Sequence, residues 1–189
     1  MRGKTRLSDA GFFLPTLGIQ LKNIELSSTI GVDQIRIESL QLTSAEGSLN
    51  GQGELTLSDW RPQNYQLQLK GENFQLVNLP DMMIRVTPDL NVTGDKSGYR
   101  LRGSVAIPEL HINDRKRNNL PKNSPDLVVV DAPAPAEKRH ELTHDIDLQL
   151  LLGEQVLVDS AGMDARLGGS VQLKSTVQQE LAAFGEIHV

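Results

Sequence analysis

Five consecutive residues of the chain match a pattern that binds zinc in metalloproteases: His140-Glu141-Leu142-Thr143-His144. In that chemistry two histidines one helical turn apart hold the metal, and the glutamate acts on the metal-bound water. The residues that follow, 145–150, alternate between polar and apolar types, which is typical of a β-strand. In an extended strand His140 and His144 would lie about 13 Å apart, too far to share one ion. A zinc metalloprotease is therefore a remote alternative, and we expect a chance match with no bound metal.

Other residue patterns give no better case for an enzyme. Gly51-Gln52-Gly53 lacks the third glycine and the following helix of a phosphate-binding loop. The sequence contains no G-x-S-x-G pattern, no cysteine nucleophile and no distinct pair of catalytic carboxylates. A net charge of −5 and a pI near 5.4 give no electrostatic basis for binding nucleic acid. We expect a protein that is not an enzyme and that needs no cofactor.

The elements that would position any site in this chain are β-strands. A glycine followed by strictly alternating exposed and apolar residues occurs four times, beginning at Gly53, Gly103, Gly169 and Gly185. Each copy predicts a half-buried strand that the chain enters through the glycine. The same alternation fills most of the remaining chain, so about ten to twelve strands and no long amphipathic helix are expected. Aromatic residues make up only 4% of the chain, which disfavours an outer-membrane barrel with aromatic girdles.

Three strand pairs are expected to form hairpins. Residues 89–93 and 99–107 flank a glycine-containing turn at 94–98, and residues 144–151 and 156–160 flank Gly153-Glu154. The third pair joins 163–175 to 184–189. Between 113 and 139 the alternation vanishes and four prolines occur, which predicts a long flexible loop within one domain spanning residues 1–189.

Alternation also places branched aliphatic side chains on one face of the predicted sheet. Two arrangements would satisfy such a face: a closed sandwich core, or an open, bent sheet whose apolar groove needs a hydrophobic guest. The sequence length does not distinguish them. The residues predicted to line the groove are Ile35, Ile37, Leu55, Leu57, Leu67, Leu69, Leu90, Val92, Leu101, Val105, Ile107, Ile146, Leu148, Leu150, Leu167, Val171, Leu173, Ile187 and Val189.

Several phrases of the sequence, taken in their order and spacing, resemble the TamB family of bacterial envelope proteins. Each phrase alone is ordinary strand sequence, and the match depends on their succession between Leu49 and Val130 and again after Asp164. The phrases are Gly53-Glu54-Leu55-Thr56-Leu57, Tyr65-Gln66-Leu67-Gln68-Leu69-Lys70-Gly71, Val86-Thr87-Pro88-Asp89-Leu90-Asn91-Val92-Thr93-Gly94, Leu101-Arg102-Gly103-Ser104-Val105-Ala106-Ile107-Pro108, Ser124-Pro125-Asp126-Leu127-Val128-Val129-Val130 and Asp164-Ala165-Arg166-Leu167-Gly168-Gly169-Ser170-Val171.

The resemblance implies an all-β fold, an elongated and mostly antiparallel sheet folded over itself (a β-taco) with an apolar concave groove. It implies a periplasmic protein of a Gram-negative bacterium, anchored in the inner membrane, that works in the translocation and assembly module with the outer-membrane barrel protein TamA. The groove would shield phospholipid acyl chains or nascent outer-membrane protein strands. Because the sequence shows no N-terminal anchor, we expect a soluble interior piece of a longer protein whose TamA contacts lie elsewhere. The alternative is a rigid spacer with a closed sandwich core.

The same interpretation bears on self-association. An interior piece of a long sheet would expose unpaired strand edges at both ends, and such edges pair with neighbouring chains. Self-association of the chain through an edge strand is therefore a further expectation.

Overall fold

The computed structural model describes residues 3–58, 61–114, 143–160, 163–176 and 179–189. Within these ranges the chain is all β and contains no helix, so the predicted fold class is confirmed. The strands are β1 (Gly3–Leu14), β2 (Ile19–Ile30), β3 (Gln34–Ser44), β4 (Gly47–Ser58), β5 (Arg61–Glu72), β6 (Phe74–Leu79), β7 (Met82–Asp95), β8 (Gly98–Asp114), β9 (Thr143–Ser160), β10 (Met163–Arg166), β11 (Gly168–Thr176) and β12 (Gln179–His188).

All twelve strands belong to one open, elongated sheet in the order β1-β2-β3-β4-β5-β7-β8-β9-β11-β12. The short strand β6 pairs with the first half of β7, beyond the end of β5, and β10 pairs with the last part of β9. Every ladder is antiparallel except that of β8 and β9, which run side by side in the same direction. The described residues therefore form one layer, whereas the sandwich alternative requires two. That the sheet folds over itself around a concave groove stays a prediction.

The β7–β8 hairpin confirms the turn predicted at residues 94–98. The Asp95 carboxylate accepts hydrogen bonds from the Ser97 backbone N–H at 2.7 Å and the Ser97 hydroxyl at 2.5 Å. These bonds, the hydroxyl bond first, lower the pKa of Asp95. The first residue of β8, Gly98, approaches the next strand so closely that a β-carbon there would lie 1.9 Å from the Thr143 carbonyl oxygen. An Asx-type turn thus fixes the hairpin, and Gly98 lets β9 lie close beside it.

The hairpin predicted around Gly153-Glu154 is wrong, because residues 143–160 form the single strand β9. Its parallel neighbour β8 pairs with it from one end to the other, from Gly98 beside Thr143 to Asp114 beside Ser160. The register shift between Ile107 and Glu109 absorbs the extra residue near Gly153. Glycine here accommodates a β-bulge and not a turn.

The predicted pairing of residues 163–175 with 184–189 is correct only for β11, which pairs with β12 from Gly168 to Lys174. The segment before it, β10, pairs with β9 instead. The Leu167 N–H, between β10 and β11, donates to the Val156 carbonyl at 2.8 Å, so both strands follow the same side of β9. The chain thus turns back along β9 before it reaches β12.

Three of the four repeated glycines also differ from the prediction of strand entry. Gly53, Gly103 and Gly185 lie inside β4, β8 and β12, and only Gly169 lies at the start of a strand. At Gly103 and Gly185 the backbone has φ of 137° and 147°, a region that side chains disfavour. These glycines therefore mark places where a neighbouring backbone comes close, not where strands begin.

The buried apolar residues gather mainly at one end of the sheet, where β6 extends past the end of β5. Phe74 and Val77 of β6 are buried there together with Ile19 and Val86. The β6 edge is covered by the turn between β1 and β2, since the Asn78 N–H donates to the Leu17 carbonyl at 2.8 Å. The core of the described residues is thus a local corner, and most of the sheet lies outside it.

The predicted loop at 113–139 begins at the last two residues of β8 and otherwise lies outside the described residues. Among the residues that the structure describes, none forms a helix with the length and apolar character needed to cross a membrane.

Candidate apolar binding face

The strand register brings most of the predicted groove residues onto one side of the sheet. Cross-strand partners point to the same face, so each row of partners can be followed across the ladders. One row runs Ile37, Gly53, Leu67, Val92, Leu101, Ile146. The next runs Leu40, Gly51, Leu69, Leu90, Gly103, Leu148, Leu173. Shorter rows join Ile35 to Leu55, Val105 to Leu150 and Val171, and Ile107 through Leu152 and Gly169 to Ile187.

We call the side formed by these rows the apolar face. Its branched side chains are half-buried, apart from Ile187, which is 55% exposed on the edge strand β12. A closed sandwich core would bury such residues almost completely. The face is therefore partly shielded by its own neighbouring side chains and is left without a covering layer among the described residues. That it lines a groove stays a prediction.

Three predicted residues stand apart from these rows. Leu57 is buried, and its N–H donates to the Asp33 carbonyl at the β2–β3 turn. Leu167 lies between β10 and β11, and Val189 follows the last strand with 90% of its surface exposed.

The rows also contain residues that the sequence prediction missed. Leu40 lies beside Gly51 in one row, and Leu152 lies between Ile107 and Gly169 in another. Tyr65 and Tyr99 extend the row that starts at Ile35 and Leu55. Alternation was a usable signal for three of them, because Leu40 alternates with Leu42, Tyr65 with Leu67 and Tyr99 with Leu101.

The opposite side, the polar face, carries charged and amide side chains in matching rows. Arg36 pairs with Glu54 at 3.1 Å, and Lys70 pairs with Asp89 at 3.0 Å. Gln52 donates to Gln68 at 2.7 Å in the row between them. Exposed cross-strand pairs of this kind each contribute little to stability, but together they favour water on this face.

The Asp145 carboxylate of the polar face contacts two arginines. Its Oδ2 accepts from Arg100 Nε at 3.0 Å and from Arg102 Nη2 at 2.8 Å. These hydrogen bonds, that of Arg100 first, hold the pKa of Asp145 below its ordinary value. The carboxylate thereby ties β9 to two successive polar-face positions of β8, across the parallel ladder.

Glycines replace bulky residues at several positions of the apolar face. A β-carbon at Gly103 would lie 2.0 Å from the Asp89 carbonyl oxygen, and one at Gly185 would lie 2.1 Å from that of Ser170. Because these carbonyls belong to backbone, no rotamer change can make room. The glycines allow the neighbouring strands to approach, and they leave the face without a side chain at those points.

The two described residues of the zinc-like motif are not helical. Thr143 and His144 are the first residues of β9, and the His144 ring stacks on Tyr99 with 6.3 Å between ring centroids. His140 and Glu141 lie outside the described residues. Within the described ranges, no three histidine, aspartate or glutamate side chains come together as metal ligands. The described residues of the motif therefore provide no helical frame for zinc.

Comparison with known proteins identifies one relationship. The family model for the TamB C-terminal domain matches residues 21–189. No curated protein and no solved structure matches the chain.

Proposed function

The chain belongs to the TamB C-terminal domain family, and on that premise we propose that its apolar face shields hydrophobic cargo between the two membranes of the cell envelope. Membership places the chain in bacterial envelope biogenesis, within a family of non-enzymatic proteins. The cargo is the acyl chains of phospholipids, or the strands of outer-membrane proteins before they fold. The chain itself has no catalytic role.

The observation that supports this proposal is the apolar face of a single-layered sheet. Rows of leucine, isoleucine and valine, interrupted by glycines, cross up to seven neighbouring strands, and the described residues place no second layer over them. Covering such a face with an acyl chain gains about 0.8 kcal/mol for each methylene removed from water. An acyl chain also demands no hydrogen-bond partner, and the face offers few.

The wider setting of the proposal follows the family. We propose that the full-length protein is anchored in the inner membrane, that the sheet lies in the periplasm, and that the outer-membrane barrel protein TamA is its partner. The polar face would then meet the aqueous periplasm, and the apolar face would meet the cargo.

Site-specific photocrosslinking tests the proposal at two adjacent positions. Leu148 and Gln149 are neighbours in β9, and alternation places them on opposite faces. A benzoyl-phenylalanine at position 148 of the full-length protein should form adducts with phospholipid or with outer-membrane proteins when living cells are irradiated. Mass spectrometry of the purified adducts identifies the cargo.

The same photoreactive residue at position 149 is the matched control. Gln149 is the more exposed of the two residues, so random collisions favour position 149, whereas cargo binding favours position 148. If position 148 yields no lipid or outer-membrane protein adduct, or no more than position 149, the shielding proposal is wrong.

A further inference from the structure

At the end of the strands where β7 turns into β8, the apolar face carries a row of aromatic side chains. Tyr65 and Tyr99 are the only tyrosines of the chain, and both lie in this row. Gly94 lies between them in the register, and His144 follows Tyr99 on β9. We call these four residues the aromatic row. The next row of the face is Leu67, Val92, Leu101 and Ile146.

The three rings of the aromatic row give this end of the face polar tips. A β-carbon at Gly94 would clash with the Tyr65 hydroxyl, so the Tyr65 side chain lies across β7. The rings of Tyr99 and His144 stack with 6.3 Å between their centroids. Tyr99 is 38% exposed, and the other two side chains are half-buried. Because tyrosine and histidine each combine an apolar body with a polar tip, this end of the face is amphipathic.

The opposite end of the apolar face is filled by the chain's own side chains. The register places Phe74, Val86 and Val156 on this face, and they are 6%, 7% and 0% exposed. The Asn78 N–H donates to the Leu17 carbonyl and ties the β1–β2 turn to this end. The face therefore has one packed end and one exposed end with polar tips.

The stretch between these two ends is long enough for one lipid acyl chain. On β8 the distance from Tyr99 to Ile107 is about 26 Å at the usual rise of a strand. The hydrocarbon core of a bilayer is about 30 Å thick, so a single acyl chain spans about 15 Å. Leu101, Val105 and Ile107 are half-buried along this stretch. An acyl chain lying parallel to the strands would thus fit between the aromatic row and the packed end.

We propose that the apolar face binds a phospholipid lengthwise, with an acyl chain along the strands and the phosphate at the aromatic row. This inference rests on the proposed shielding function and narrows its cargo to a phospholipid. The hydroxyls of Tyr65 and Tyr99 and the imidazole of His144 can each donate a hydrogen bond to a phosphate oxygen. None of the hydrogen bonds among the described residues uses either tyrosine hydroxyl, so both remain available to a ligand.

The placement of the polar tips favours a lipid over an unfolded protein strand. An extended strand carries peptide N–H and C=O groups along its whole length, and each of them needs a hydrogen-bond partner. The aromatic row offers side-chain donors at one end of the face, and the rows beyond it offer leucine, isoleucine, valine and glycine. One polar end and an apolar body are the features of a phospholipid.

Photoreactive phospholipids test the orientation. Two probes have the same acyl chains, but one carries a diazirine in its headgroup and the other carries it at the end of an acyl chain. Each probe is presented to the purified chain in vesicles of phosphatidylglycerol and irradiated, and mass spectrometry of peptides locates the adducts. We expect the headgroup probe to label Tyr99 and His144. The tail probe should label Val105 and Leu150, about 20 Å further along the strands.

The other outcomes separate this inference from the proposed function. If both probes label the same rows, or if the headgroup probe labels Phe74 or Val156, the proposed orientation is wrong although the face still shields lipid. If neither probe labels the apolar face, both this orientation and the shielding of phospholipid are wrong.

The double variant Tyr65→Phe/Tyr99→Phe tests the hydroxyl groups, because it keeps both rings. Two hydrogen bonds to a charged phosphate are lost, so the affinity for a soluble short-chain phosphatidylglycerol should fall about tenfold or more in isothermal titration calorimetry. Diphenylhexatriene, a hydrocarbon without a polar head, is the control ligand, and its affinity measured by fluorescence should not change. If the double variant binds phosphatidylglycerol as tightly as the parent, the proposed position of the phosphate is wrong.

Discussion

The backbone of Gly103 approaches that of Asp89 so closely that a β-carbon at Gly103 would lie 2.0 Å from the Asp89 carbonyl oxygen. Gly103 also has φ of 137°, so a side chain there is opposed both by its own backbone and by the neighbouring strand. The contact joins β7 to β8 in the middle of the apolar face. This glycine sets the distance between two central strands.

Replacing this glycine should therefore destabilise the sheet. We expect Gly103→Ala to lower the free energy of unfolding by about 2 kcal/mol or more, from backbone strain and displacement of β7. Gly11→Ala is the control, because the nearest atom to its β-carbon would be 3.5 Å away and its φ is not in the disfavoured range. Urea unfolding followed by circular dichroism measures both. Equal midpoints for the two variants would contradict the close approach.

The buried side chain of Val156 in β9 gives a second prediction. Val156 is 0% exposed, whereas Val32 in the β2–β3 turn is 75% exposed. Removing two methyl groups at Val156 leaves a gap, so Val156→Ala should cost about 1 to 3 kcal/mol. Val32→Ala makes the same chemical change in water and should stay within about 0.5 kcal/mol of the parent. Thermal unfolding of the pair tests whether the packing at Val156 is as complete as the structure shows.

The carboxylate of Asp145 gives the prediction on pH. Its folded pKa is lowered by hydrogen bonds from Arg100 and then Arg102. A carboxyl with a lower pKa in the folded state stabilises the fold above its unfolded pKa, about 3.9, and that contribution is lost as the pH falls through the folded pKa. Asp145→Asn should therefore be less stable than the parent at pH 7, and the difference should shrink between pH 4 and pH 2.

The control for that measurement is Asp147→Asn, two residues further along the same face. Asp147 accepts from the neutral Gln172 at 2.8 Å, so its replacement removes no contact with a guanidinium. Urea midpoints at pH 7, 4, 3 and 2 for both variants separate the two cases. If the stability difference between Asp145→Asn and the parent grew as the pH falls, the prediction would be wrong.

A charge on the apolar face distinguishes cargo shielding from a purely structural role. Leu148→Asp should leave the sheet folded, at a cost of about 1 to 3 kcal/mol, because Leu148 is only half-buried. In the full-length protein it should impair the outer-membrane barrier, measured as sensitivity to a large hydrophobic antibiotic. Gln149→Asp, with the same new charge on the polar face, should leave the barrier intact.

The spacer alternative makes the opposite prediction for this pair. If Leu148 belonged to a closed core, an unpaired charge there would unfold the chain outright, and the loss of function would follow from loss of the fold. Circular dichroism of the purified Leu148→Asp chain separates the two. A folded variant with normal outer-membrane integrity would exclude both a closed core and cargo shielding at this position.

Much of the sheet was predictable from alternation and local turn chemistry. The β7–β8 hairpin follows from Asp95, Ser97 and Gly98, which form their hydrogen bonds within four residues of sequence. The face of the sheet on which residues such as Leu101 and Ile146 lie follows from the two-residue repeat of a β-strand alone. These features need no knowledge of distant partners.

The failures arise where distant pairing overrides local signals. Gly153-Glu154 has the composition of a turn. The chain nevertheless stays extended there, because β9 pairs with β8 on both sides of these residues. Asp9 and Gly11 interrupt the alternation of β1, and the strand forms because β2 pairs with it from Gly3 to Leu14. The rows of the apolar face likewise depend on register, which a single sequence does not encode locally.

Each strand of this sheet contacts almost only the strands beside it in the ladder. The sheet is therefore quasi-one-dimensional, and its stability is a sum over successive strand interfaces, as in repeat proteins, rather than the property of one central core. In such an architecture an added hairpin extends the sheet, and side chains elsewhere need not repack. The extent of the sheet across its strands can then change with the number of strands alone.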